Sequence, residues 1–124
     1  MAVIHFNNGF HGTYQIGNQI LEIAHDRIQP YDMTYGAAGA CFYSTFLGIL
    51  REHGLTVDRA DVEVEGRKRS TIPSTLEYLK LRLHLKAEDN REVLETCMQE
   101  ALEKCSMLAT IRSVAEIDAE IVYE

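Results

Sequence analysis

Three thiols, Cys41, Cys97 and Cys105, are the most reactive groups the chain offers. As a thiolate, cysteine attacks peroxides and disulfides; as a thiol in an apolar setting it is an inert small hydrophobe. An odd number of cysteines at wide spacings is not a disulfide framework. Neither a C-x-x-C nor an H-x-x-x-H spacing occurs, so neither a metal nor another cofactor is expected. Taken singly, each cysteine fits a packed core. Cys41 and Cys105 gain chemistry as a pair. If their helices bring them together, peroxide would oxidise one thiolate to a sulfenic acid and the other thiol would condense with it. The resulting disulfide needs Cα atoms about 4.4–6.8 Å apart.

Cys41 lies in residues 30–54, PYDMTYGAAGACFYSTFLGILREHG, with no charged side chain or histidine between Asp32 and Arg51. The run predicts a helix wrapped by the rest of the protein. Pro30 suits a first turn, Asp32 or Thr34 can cap the start, and Gly54 suits the position just past the end. Low aliphatic content argues against a membrane span. Gly36, Ala37, Ala38, Gly39 and Ala40 suit close approach by another backbone, a helix of this chain or of a second subunit. Cys41 is two or three turns into this helix, beyond reach of its dipole, so a depressed pKa would need a cation nearby.

Cys105 closes a second predicted helix. Asp89 and Glu92 form a capping-box-like start. Val93, Leu94, Cys97, Met98, Ala101, Leu102 and Cys105 form one apolar stripe. Ser106 would then cap a short helix, MLATIR.

Strands make up the rest. Residues 2–24 read as a small antiparallel meander, with turns at Asn7-Asn8-Gly9, Gly12 and Gly17-Asn18. Residues 55–65 and 76–86 are the clearest strands. Leu79, Leu81, Leu83 and Leu85 alternate with Lys80, Arg82, His84 and Lys86; Val62 and Val64 alternate with Asp61, Glu63 and Glu65. The acidic and basic faces suit antiparallel pairing. Leu55 and Val57 are out of phase, which predicts a bulge or loop near Asp58-Arg59. The basic connection GRKRSTIPS reads as a solvated tip, and a strand closes the chain at 115–123. One α+β domain over 1–124, with an antiparallel sheet and a buried central helix, is expected.

Hydrophobic residues make up 46% and the net charge is -7. An acidic surface argues against nucleic acid as a partner. The opening MAVIHFNNGFHG lacks the features of a secretion signal, so a reducing cytoplasmic location is expected, with no membrane partner.

Two stretches carry a family resemblance. AAGACFYSTFLGIL resembles the central-helix motif of the OsmC/Ohr proteins, a cysteine after a run of small residues. EALEKCSMLATIRSVAEIDAEIV resembles their C-terminal motif, and the spacing of 64 residues between the two cysteines is similar. The resemblance implies an intertwined homodimer with both central helices at its heart. It also implies reduction of organic hydroperoxides, with Cys41 attacking, Cys105 resolving, and external thiols or dithiols recycling the disulfide. Two features depart from the peroxidase branches. Tyr31 stands where they carry a glutamate, and no arginine precedes Arg27 to serve the thiolate. The length, and Ser106 where a proline is usual, are closer to the YhfA-like branch. A redox-inactive dimer that binds a small apolar ligand at the subunit interface is the alternative.

Overall fold

Residues 1–88 and 90–124 are described in the computed structural model, and they divide into two units, 1–34 and 35–124. In the first unit, β1 (Val3–Phe6), β2 (His11–Ile16) and β3 (Gln19–Ala24) form the expected antiparallel meander in the order β1-β2-β3. Gly17, at φ 58°, supplies the left-handed turn between β2 and β3 that other residues rarely adopt. Gly12 is not a turn, contrary to expectation. It sits inside β2, where the Phe6 ring lies 2.6 Å from where a Cβ would project.

The uncharged run forms α1 (Pro30–Glu52). Pro30 takes the first helical position, where its missing N–H costs nothing. Asp32 accepts the Gln29 N–H at 2.8 Å, the reach-back half of a capping box. Thr34 does not cap: its hydroxyl donates to Pro30 O. Gly54, at φ 67°, ends the helix as predicted.

One expectation for α1 needs correcting. The helix is not wrapped on all sides by its own chain. Ala38, Gly39, Phe42, Phe46, Ile49 and Leu50 are buried, whereas Gly36, Ala37, Ala40, Ser44 and Gly48 are exposed. Periodicity could not show this, because neither face carries charge. Close approach does occur at Gly39, but to a strand: a Cβ there would lie 2.9 Å from Val64 Cγ2. A β-branched side chain cannot easily yield. Gly39→Val is therefore expected to lower stability by about 1–3 kcal/mol through overpacking, readable by chemical denaturation.

In the second unit, β4 (Arg59–Lys68), β5 (Leu76–Lys86) and β6 (Glu116–Tyr123) form a sheet in the order β4-β5-β6. β4 starts at Arg59 and runs to Lys68, so Leu55 and Val57, expected at the head of a strand over 55–65, lie outside it; the register irregularity is at Arg67/Lys68 rather than near Asp58-Arg59. β4 and β5 are antiparallel and pair Glu65 with Lys80, Glu63 with Arg82 and Asp61 with His84. β6 departs from the wholly antiparallel expectation by running parallel to β5. The reason is the long crossover through α2 (Arg91–Lys104) and α3 (Ser106–Arg112), which returns the chain to the end where β5 began. The leucine face of β5, the inner face of α1 and Leu94, Cys97, Met98 and Ala101 of α2 are buried and make up the core, whereas Val93 of the expected stripe is exposed and Leu102 half-buried.

The opposite face of the sheet carries ion pairs. His84 holds Glu63 through Nε2 at 2.8 Å and Glu124 through Nδ1 at 3.0 Å, which raises its pKa, Glu124 contributing most. Stability from this clasp is complete below the ordinary histidine pKa of about 6.5 and is lost as pH rises through the higher folded value. The denaturation midpoint of the native protein, relative to His84→Gln, is expected to fall on going from pH 6 to pH 9; equal pH profiles would contradict it.

Candidate functional site

Cys105 is placed by a one-residue interruption between two helices. Its backbone is extended, at φ -69° and ψ 119°, so it ends α2 and starts α3 at once. Its N–H bonds Ala101 O, and its carbonyl accepts from Ala109 N–H. Two helix ends thus fix the backbone, and the side chain is fully buried. The start of α2 differs in detail from expectation. Asp89 lies outside the described residues, and Asn90 is the cap, accepting the Glu92 N–H at 2.8 Å.

Cys41 sits mid-way along α1, on the border between its buried and exposed faces, and is half-buried. The two predicted site cysteines meet. Their sulfurs are 3.3 Å apart, with the Cys105 thiol donating to Cys41. Both are free thiols. Closing to a bond of about 2.05 Å needs a movement of little more than an ångström. Cys97 is buried on α2, where burial first and Glu100 second push its thiol up and keep it protonated.

The two paired thiols are pushed in opposite directions. Cys41 is held below the ordinary thiol value, chiefly by the Met107 backbone N–H. Burial opposes this, and the Cys105 thiol, the Ser106 hydroxyl and the Ser106 N–H add to it. Cys105 is raised, chiefly by burial. The accessible sulfur is thus the better thiolate, and the buried one remains a thiol beside it. That is the polarity required for one cysteine to attack and the other to follow.

The missing cation has a physical substitute. Every group that lowers Cys41 is a neutral donor: two backbone N–H groups, a hydroxyl and a thiol. The α1 dipole is remote, as expected, and the donors that lower Cys41 belong instead to residues 105–107, at the start of α3. Sequence reasoning missed this because a backbone donor has no residue signature. Ser106 was within reach of it, being a polar residue directly after Cys105. It is not the helix cap, a position Cys105 occupies; its hydroxyl lies 3.8 Å from Cys41 Sγ.

Between α1 and β4, Tyr35, Gly36, Gly39, Ala40, Tyr43, Val62 and Val64 line an apolar groove of about 270 Å³, which neither cysteine of the pair lines. Among the described residues no cluster of metal-ligating side chains occurs, and no helix is long and apolar enough to cross a membrane.

Residues 24–120 match the family described as OsmC-like protein. No curated protein matches the sequence. Solved structures share the fold at low identity. The OsmC-like protein from Mycoplasma pneumoniae superposes with a TM-score of 0.88 at 11% identity, over 99% of this chain and 95% of that one. A hypothetical protein from Aquifex aeolicus VF5 gives 0.85 at 16% identity, over 100% and 96%. The organic hydroperoxide resistance protein OhrB of Bacillus subtilis gives 0.71 at 17% identity, over 98% of both chains.

Proposed function

The chain belongs to the OsmC-like family, and from that premise we propose that it reduces organic hydroperoxides with Cys41 as nucleophile and Cys105 as resolving thiol. The observation that carries the reading is the 3.3 Å approach of a lowered, accessible thiol to a raised, buried one. The Cys41 thiolate attacks the outer peroxide oxygen, the O–O bond breaks, and the alkoxide takes a proton and leaves as an alcohol. Cys41 is then a sulfenic acid. The Cys105 sulfur attacks it, an S–S bond forms, and the hydroxyl leaves with the Cys105 proton as water. An external dithiol restores both thiols by exchange and is itself oxidised. A reducing cytoplasm would supply that reductant.

A homodimer is part of the same proposal. Gly36, Ala40, Ser44 and Gly48 recur at every fourth residue on an exposed face that carries no charge between Asp32 and Arg51. An added Cβ at Gly36 or Gly48 would meet nothing within 4 Å. A second α1 would seat on this face.

The direct test supplies excess dithiol and an organic hydroperoxide to the reduced protein. Consumption of many equivalents per chain is expected. Consumption no faster than the dithiol alone would leave the apolar groove, and ligand binding there, as the better account.

A further inference from the structure

Ser106 has a hydroxyl that its own helix does not use. Serine near a helix start usually turns its oxygen back onto the backbone N–H groups two or three residues on. Here Cys105 holds the capping position without a side-chain cap, and Ser106 is the first helical residue. The Ser106 Oγ lies instead 3.8 Å from Cys41 Sγ. Its backbone carbonyl is occupied separately, by the Thr110 hydroxyl at 3.1 Å, which fixes the first turn of α3 beneath it. The residue is exposed, while the sulfur it faces is half-buried.

We propose that the Ser106 hydroxyl donates a hydrogen bond to the reacting sulfur of Cys41 and adds to the share of it that is thiolate at neutral pH. The proposal rests on the reading of Cys41 as the nucleophile. The other side-chain donor at this sulfur, the Cys105 thiol, is consumed when the disulfide forms. Backbone donors are present whatever residue stands at 106, unless it is proline. The hydroxyl is therefore the donor that substitution at 106 can remove while the thiol pair and the fold remain. Its exposure means that a change there leaves no buried hole or unpaired group.

The test measures alkylation of Cys41 in the reduced, full-length protein by iodoacetamide between pH 5 and pH 10. Mass spectrometry assigns the label to Cys41 rather than Cys97 or Cys105. The native protein, Ser106→Ala and Ser106→Thr are compared. Loss of one hydrogen bond to a charged sulfur is expected to move the Ser106→Ala midpoint toward the ordinary thiol value and to slow labelling at pH 6.5 by about threefold or more. Ser106→Thr keeps the hydroxyl and should retain the native profile. Superimposed profiles for the native protein and Ser106→Ala would overturn the proposal, as would equal shifts in both variants. Hydroperoxide turnover is scored separately. If the Ser106→Ala shift is present and the native protein consumes no hydroperoxide, the donor role stands and the peroxidase reading fails. If turnover is present and the profiles coincide, the reverse holds.

Discussion

Cys41→Ser is expected to lower hydroperoxide consumption by more than about a hundredfold, to the level of the dithiol alone. The substitution changes one atom on a helix whose buried face it leaves intact, so the loss would be chemical rather than structural. A serine hydroxyl has no accessible anion at neutral pH, and the donors around residue 41 can shift a pKa only by a few units. Cys105→Ser should behave differently. The attacking sulfur remains, so one equivalent of hydroperoxide is still consumed and a sulfenic acid accumulates at Cys41, where a dimedone label would find it. Steady turnover with a dithiol should fall sharply, because the buried resolving thiol is gone. Cys97→Ser should leave turnover near native, since Cys97 is buried away on α2 with a raised pKa. Equal losses in all three variants would point to damage to the core instead.

If the proposed homodimer forms through the exposed face of α1, Gly48→Glu is expected to convert it to single chains at micromolar concentration while each chain stays folded. Within one chain the change is benign. An added Cβ meets nothing within 4 Å, and glutamate is the better helix former by roughly 0.5 kcal/mol or more. In the dimer, the same carboxylate would be buried against a second uncharged helix face, together with its symmetry copy. Two unpaired buried charges cost several kcal/mol, enough to weaken association by more than about a thousandfold. Sedimentation equilibrium reads the mass and far-ultraviolet circular dichroism checks the helices. A Gly48→Glu protein that sediments as the native one does would remove this face from the interface.

How far the sequence could be read follows from what each signal depends on. The leucine alternation of β5, the middle of the α2 stripe from Leu94 to Ala101 and the Pro30 and Gly54 limits of α1 are local, and each appears in place. The parallel run of β6 is not local. It follows from where the α2–α3 crossover delivers the chain, and alternation alone is the same for either direction. Nor could the two-faced burial of α1 be read, because alanine, glycine and serine serve equally against a strand or against a second subunit. The cysteine pair was legible as a pair, through its spacing and the residues around each member. Its 3.3 Å approach and its opposite pKa displacements were not. Those depend on the backbone of residues 105–108, where one helix ends and the next begins.

The most direct measurement is a disulfide map of the reduced protein after one equivalent of an organic hydroperoxide. Peptide mass spectrometry should find Cys41 joined to Cys105 and Cys97 still free, with two thiols lost per chain for each alcohol formed. Three free thiols per chain with the hydroperoxide unconsumed, or a disulfide that involves Cys97, would contradict the account.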